Sequence, residues 1–479
     1  MAIIKIKVKV SPVNRLAILF LWFVLTLVSC NNKRHEIVIS DLEQTNALIK
    51  RIDIHTPVKM SVYIRYWETG HQDSVFITPF SKGTLNHHFI LTGLQPLTNY
   101  TYQIISTIKN TTVKTERSFT TKDIPLIIHQ LVNLPYDDTQ HIPQKFLNGY
   151  VIVYRRDVPG VLMIVNAKGH IVWYKEADST GFKVAAFTKQ NNILALMAPM
   201  TYPTSYSNEI LELSLNGDTL LDLKKGENGF TETAHHEILL NDSGHLVTIT
   251  LEEKPFDLSK IGGTKNDTVS GDGILVMDKR GNRLWRWSVF DTVHVLKIPD
   301  ILKKKKDLMH GNSLTYDNDG NYLLSYYNTG QIWKINSKTG KVMWKFGRGG
   351  DFKINNPKDW FQQSHDIQKV NKDNLLLFEN GTDDQTTRIL TYRLNEKEKT
   401  TSLIKEIALP KNLYTPKMGS TYYLNDSTVL ACSAQTGEVV LINDKGKILW
   451  RLRTSFRPYR AAFIPSDSLH LWNLERNNN

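Results

Sequence analysis

The sequence predicts an all-β protein, a β-sandwich followed by a six-bladed β-propeller, and three observations carry that expectation. Val, Ile, Thr, Tyr, Phe and Trp abound, Asn-Gly and Asp-Gly types of turn recur, and long apolar patterns of helical period are scarce. A hairpin motif returns six times beyond residue 145. Between the hairpins, histidines fall at matching points of successive repeats. At 479 residues the chain exceeds one typical domain, so a large unit beside a smaller one is expected.

The chain opens with Lys5, Lys7, Lys9 and Arg15 ahead of an apolar run from Leu16 to Leu27, short for a membrane span. Leu27-Val28-Ser29-Cys30 resembles the lipobox of a bacterial lipoprotein signal, with Cys30 as the lipidated residue. Residues 1–30 are thus expected as a signal peptide and the rest as an extracytoplasmic, membrane-anchored protein facing the periplasm or the cell surface; a single spanning anchor is the alternative. Cys432 is the other cysteine and lies in an apolar run, so no internal disulfide framework exists and a buried, inert thiol is expected.

The formal charge of +12 falls to +8 without the four basic leader residues (12 − 4). That field suits an anionic small molecule, and no nucleic-acid motif accompanies it. Lys303 to Lys306 reads as a solvated loop or as a rim that attracts anions.

Residues 31–123 read as the sandwich. Leu94 to Tyr100 has the spacing of the tyrosine corner of fibronectin type III and related immunoglobulin-like folds, in which the Tyr hydroxyl bonds to backbone upstream. This sandwich is also the candidate surface for a homodimer. Residues 124–144, with Pro125, Pro135 and Pro143, read as a linker.

Residues 145–479 carry the repeat. Hairpins ending in Trp run 163–173, 275–285, 332–344 and 440–450, with weaker copies at 210–221 and 389–404. Between them lie strand-turn-strand units whose alignment makes Lys183, His236, Asn312, His365, Gly419 and Tyr459 equivalent. Six units that cannot close a core singly fit a propeller; a solenoid needs more uniform repeats. On the innermost strands these residues would ring the channel, joined by His310 and Arg460. A buried polar ring costs several kcal/mol unless its groups bond one another or a ligand. Glu237 and Asp366, each following a ring histidine, should point into the blade by strand alternation and orient the imidazoles, while His235 alternates out of the ring.

Such a ring offers a nucleophile, a general acid and anion-stabilising groups. Ala234 to Glu237, His310-Gly311-Asn312-Ser313, Ser364-His365-Asp366-Ile367 with Leu375 to Gly381 behind it, and Gly419-Ser420-Thr421 resemble the motif series of bacterial arylsulfate sulfotransferases. The resemblance implies extracytoplasmic transfer of a sulfuryl group from an aryl sulfate to a phenol, without cofactor or nucleotide donor, through a ping-pong cycle on a sulfated histidine. It makes His365 the nucleophile and His236 and His310 its partners for sulfuryl oxygens or the phenol proton. Asn312, Ser420 and Thr421 would help hold the sulfate. The family also places an arginine on the strand after His-x-Asn, where this chain has Ser325-Tyr326-Tyr327-Asn328; Lys183 or Arg460 would have to supply that charge. Two other classes compete: a non-catalytic scaffold, since Thr339 to Trp344 resembles quinoprotein-like repeats, and a histidine metal site, against which the nearby Lys183 and Arg460 argue.

Overall fold

The computed structural model describes residues 37–41, 46–108, 111–137, 141–203 and 205–466. The leader and Cys30 lie outside them. The fold is all-β, with helices of at most four residues, and no described helix is long and apolar enough to cross a membrane.

The N-terminal part is one six-stranded sheet built on a 19-residue strand, Lys50–Glu68. Its first half pairs with Val38–Asp41 and Ser81–Leu91, and its second half with Asn99–Ile108. The expected sandwich is therefore one continuous sheet in hydrogen-bond terms, because the long strand runs unbroken through both pairings. Alternation puts Ile52, Ile54, Val62 and Ile64 on one buried face with Phe89, Tyr102 and Ile104. The Tyr100 hydroxyl accepts a hydrogen bond from Gln95 N–H (2.9 Å), the upstream backbone bond expected of a tyrosine corner. This sheet is fastened to the rest by Ala47 N–H on the Tyr174 hydroxyl (3.1 Å) and by Arg51 on Asp218 (2.6 Å).

Six sheets of four or five strands follow in a propeller-like arrangement, antiparallel except where the two-residue strand Lys353–Ile354 runs parallel to Thr400–Ala408. Their inner strands are Gly181–Phe187, Ala234–Leu240, Gly311–Tyr316, Ser364–Lys369, Ser420–Asn425 and Ala461–Ile464. Each touches the next, and the circuit closes through Tyr150–Arg155, which pairs with Ala461–Ile464 and touches Gly181–Phe187. All six hairpins read from the sequence are present. In the sixth unit Ala461–Ile464 pairs with Tyr150–Arg155, so the two ends of the repeat region share one sheet; the stretch from Ser468, where the repeat alignment opens that unit's second strand, lies outside the described residues. Val132–Asp137, in the stretch read as linker, adds an outer strand to the sheet of Ile448–Thr454.

Trp173 and Trp450 pack between sheets, donating Nε1–H to the carbonyls of Leu215 and Ala167. One junction is ionic. Lys334, 3% exposed, reaches Asp317 (2.7 Å), Asp319 (2.8 Å) and Glu396 (2.9 Å) across two adjacent sheets. Without Lys334, Asp317 keeps only the longer ionic contact to Lys369 (3.3 Å), and Asp319 and Glu396 lose their cation. Lys334→Met should lower unfolding stability by about 3–5 kcal/mol, measured as a fall in the urea midpoint, with turnover per folded molecule unchanged.

Candidate active site

Four inner strands carry a β-bulge at the position the repeat alignment marks. The register slips between Phe182 and Val184, His235 and Ile238, Gly311 and Ser313, and Ser364 and Asp366. Lys183, His236 with Glu237, Asn312 and His365 are the displaced residues. A bulge frees a residue from the ladder and re-aims its side chain. In the sheet of Ser420–Asn425, Met418 and Gly419 precede the strand with φ of 62° and 102°. A Cβ on Gly419 would lie 2.4 Å from the Phe378 ring, so only glycine fits. His236 and His310 also take left-handed backbone, at φ of 58° and 60°. Each such non-glycine residue costs of order 1–3 kcal/mol, and strain of this kind collects where side chains must be aimed.

The aimed side chains meet. The His236 and His310 rings are 5.0 Å apart, His310 and His365 6.4 Å, and His236 and Tyr459 5.8 Å. Tyr327 forms an aromatic wall, 4.8 Å from the His365 ring and 5.8 Å from His310, with its hydroxyl tied to Pro416 O (2.7 Å). His235 lies behind His236, Nδ1 to Nδ1 at 2.7 Å, and near Asp272 (3.7 Å). It is therefore the backing of a site residue, although off the ring as expected.

The partners of His365 fix its tautomer. Its Nδ1 is 2.7 Å from Asn380 Oδ1, and Asn380 Nδ2 donates both hydrogens, to Thr415 O (2.8 Å) and Met418 O (2.9 Å). With the amide nitrogen committed to two carbonyls, Oδ1 must accept, so His365 carries its proton on Nδ1 and presents a bare lone pair on Nε2. Burial, opposed by the Asn380 bond and reinforced by the charges of His310, Arg460 and Arg156, pushes the imidazole down to about 3. His236 is likewise held neutral, first by burial and then by the surrounding histidines and Arg156.

His310 is the opposite case. Burial works against its charge, but the hydrogen bond from Nδ1 to Asp307 Oδ2 (2.7 Å) and the charges of Asp307 and Asp272 outweigh it and raise its pKa above the ordinary value. One imidazole whose charged form is favoured thus stands beside others whose neutral form is favoured, the division of titratable roles that acid–base chemistry requires.

Arg156 supplies a second cation. It follows the strand Tyr150–Arg155, and its guanidinium lies 4.7 Å over the Tyr459 ring. It bonds the Met418 sulfur (2.9 Å) and the Ser205 hydroxyl (3.3 Å), and it is close enough to depress both His236 and His365. Lys183 donates to Arg156 O (3.2 Å), so the predicted lysine supports the arginine's backbone.

The other predicted residues do different work. Arg460 pairs with Glu237 (2.6 Å) and donates to the carbonyls of Asn312 (2.8 Å) and His365 (3.3 Å), a hub that ties inner strands together. Glu237 and Asp366 do not point into the blade. The bulges break the alternation, and both line a channel cavity of about 420 Å³ with Ser420, Thr421, Gln368 and Arg460. The groups that orient the histidines are instead Asn380 and Asp307. Ser420 is bonded both ways to the Ala461 backbone (2.9 and 3.0 Å), and Thr421 N–H donates to Asp366 (3.0 Å). Asn312 donates to Ser364 O (2.7 Å) and keeps a buried Oδ1 with no partner among the described residues. Cys432 is buried, as expected, and burial raises its thiol pKa far above the reactive range. Among the described residues, no three of His, Cys, Asp and Glu are grouped to hold a metal ion.

Sequence reading missed Arg156, Asn380, Tyr327 and Asp307 as functional side chains. Asp307 stands three residues before His310 and Asn380 fifteen after His365, but only tertiary pairing reveals their partners.

A search of curated proteins finds no match to this sequence. Among solved structures, the chain is similar to a protein of unknown function from Bacteroides caccae, with TM-score 0.42 and 12% identity, covering 66% of this chain and 98% of that one. It is also similar to the Swd1 β-propeller domain of Myceliophteria thermophila (TM-score 0.40, 10% identity, 67% and 86% covered). Virginiamycin B lyase from Staphylococcus aureus gives TM-score 0.33 and 13% identity, with 82% and 99% covered. The model of the arylsulfotransferase (ASST) family matches residues 136–448, 313 of the 479 positions (448 − 136 + 1), and the chain belongs to that family.

Proposed function

We propose that this protein is an aryl-sulfate sulfotransferase that works by a ping-pong cycle through sulfated His365, on a six-bladed propeller behind an immunoglobulin-like N-terminal unit. The observation that carries the reading is the Asn380 network, which commits His365 Nδ1 as donor and leaves the Nε2 lone pair beside cationic His310.

In the first half-reaction Nε2 of His365 attacks the sulfur of the aryl sulfate, and the sulfur–oxygen bond to the ring breaks. The departing electron pair goes to the phenol oxygen, which takes the proton from Nε2 of His310. In the second half, neutral His310 takes the acceptor phenol's proton, the phenolate attacks sulfur, and the sulfur–nitrogen pair returns to His365. Arg156, buried against the same histidines, stabilises the sulfuryl oxygens in both transition states. Tyr327 stacks the aryl ring. The signal at residues 1–30 supports an enzyme anchored through lipid on Cys30 and acting outside the cytoplasm.

The test is pre-steady-state. 4-Nitrophenyl sulfate alone should release about one equivalent of nitrophenolate in a burst, and added phenol should convert the burst to steady turnover with parallel double-reciprocal lines. Intersecting lines without a burst would sink the covalent cycle; neither release nor transfer with any aryl sulfate would favour the binding scaffold. Arg156→Met should lower kcat/KM for the donor by roughly 10²–10³-fold, as loss of one oxyanion donor does. Inhibition by inorganic sulfate should weaken in parallel and Arg156→Lys should recover part of both.

A further inference from the structure

A cavity of about 580 Å³ that the catalytic cycle does not use is lined by the chain neighbours of His310 and Tyr327. Its apolar wall includes Val293, Ile298, Met309 and Trp333, and its rim carries Lys303, Lys304, Lys306 and Lys345. Trp333 is fixed by its own Nε1–H on Gln331 (3.0 Å), and Lys345 rests 4.1 Å over its face. Of the run Lys303 to Lys306, only Lys305 is tied down, on Asp267 (2.7 Å). The other three and Lys345 have no carboxylate partner among the described residues.

Two chain segments lead from the site into this cavity. Asp307 to Met309 runs up to His310, and Asn328 and Thr329 follow Tyr327. The segments lie side by side: Tyr327 N–H donates to His310 O (3.0 Å), Asn328 N–H to Met309 O (3.0 Å), and the Asn328 side chain to Asp307 O (2.8 Å). A phenol whose oxygen meets His310 and whose ring lies along Tyr327 would therefore lie next to Met309 and Asn328, which line the cavity.

We propose that this cavity is a second binding subsite that selects aryl substrates bearing a further anionic group on an apolar arm. The inference rests on the sulfotransferase reading and adds the substrate class. The apolar wall holds the arm, and four lysines with no carboxylate partner among the described residues hold the acid; a neutral phenol gains nothing from them.

Two measurements separate the subsite from the reaction. The first compares phenol with 3-(4-hydroxyphenyl)propionate as acceptors in wild type and in the variant Lys303→Ser/Lys304→Ser/Lys306→Ser/Lys345→Ser. The acidic acceptor should show a KM at least about tenfold lower than phenol in wild type, an advantage that electrostatic complementarity of this order supplies. The variant should lose it with kcat and the phenol KM unchanged. The second follows Trp fluorescence during titration with 8-anilinonaphthalene-1-sulfonate, which needs no turnover. Wild type should bind it and the variant at least about tenfold more weakly, and the difference should shrink with salt. Equal loss for both acceptors, or equal KM values in wild type and variant, overturns the subsite. Sulfonate binding that depends on the lysines in a protein that transfers nothing would uphold the subsite while overturning the reaction.

Discussion

With His365 replaced by Asn, acceptor-dependent release of nitrophenolate falls by roughly 10⁴–10⁶-fold, the scale expected when a covalent nucleophile is removed. The variant keeps the fold, because the side chain is similar in volume and its loss breaks only one bond, to Asn380. The second part of this prediction concerns how the nucleophile is prepared. Asn380 is fully buried and donates to the carbonyls of Thr415 and Met418, and this arrangement alone decides which nitrogen of His365 carries the proton. Asn380→Leu keeps the branched outline of the side chain and removes the choice of tautomer, so His365 divides between a form with Nε2 bare and one with Nε2 protonated. The burst rate should fall by roughly 10²–10⁴-fold, as when a histidine loses its tautomer-setting partner, while the burst amplitude stays near one equivalent. Full activity in Asn380→Leu would mean that another group orients the ring. The acid limb of the burst should stay low in pH, because burial is the chief cause that holds His365 neutral down to about 3.

The way the site is built explains how much of it could be read in advance. The repeat was legible because hairpins with Asn, Asp or Gly turns and a closing Trp keep the same spacing, and their alignment marked Lys183, His236, Asn312 and His365. Those residues do share one structural position, the bulge. The bulge itself was not legible, and it is the reason for the errors one residue further on. Strict alternation sends Glu237 and Asp366 into the blade, whereas an extra residue in the strand returns them to the channel, where Glu237 meets Arg460. The charge assignments came from the same alignment. Lys183 and Arg460 were drawn in by chain position on neighbouring repeats, but the Arg460 guanidinium spends its terminal nitrogens on a carboxylate and two carbonyls, and Lys183 donates to the Arg156 backbone. Arg156 has no place in the alignment, since it follows the strand that closes the circuit from the other end of the repeat region. Its relation to Met418 and Tyr459 is purely tertiary. The N-terminal sheet shows the same limit: the tyrosine corner followed from local spacing, but the unbroken course of Lys50–Glu68 did not.

His310→Asn should slow sulfation of the enzyme in proportion to how badly the leaving group needs a proton. With phenyl sulfate the loss should be roughly 10²–10⁴-fold, the usual contribution of a positioned general acid, and with 4-nitrophenyl sulfate, whose phenolate leaves unaided, much smaller. A plot of log burst rate against leaving-phenol pKa should therefore be steeper in the variant; equal losses across the series would mean that His310 binds without donating a proton. The pH dependence follows from the sign of its shift. Because Asp307 and Asp272 raise the folded-state pKa of His310 above the ordinary imidazole value, the acid is fully present below that ordinary value. It is lost only as pH rises through the raised one. The burst should thus be flat through mildly acidic pH and decline on the alkaline side. The transfer step needs neutral His310 and should rise over the same interval, so overall turnover peaks where the two limbs cross. Asp307→Asn removes the hydrogen-bonded charge that offsets burial, and both limbs should move together toward lower pH. A shift of only one limb would assign the two proton transfers to different residues, and His236, bonded to His235 and 5.0 Å from the His310 ring, would be the group to test next.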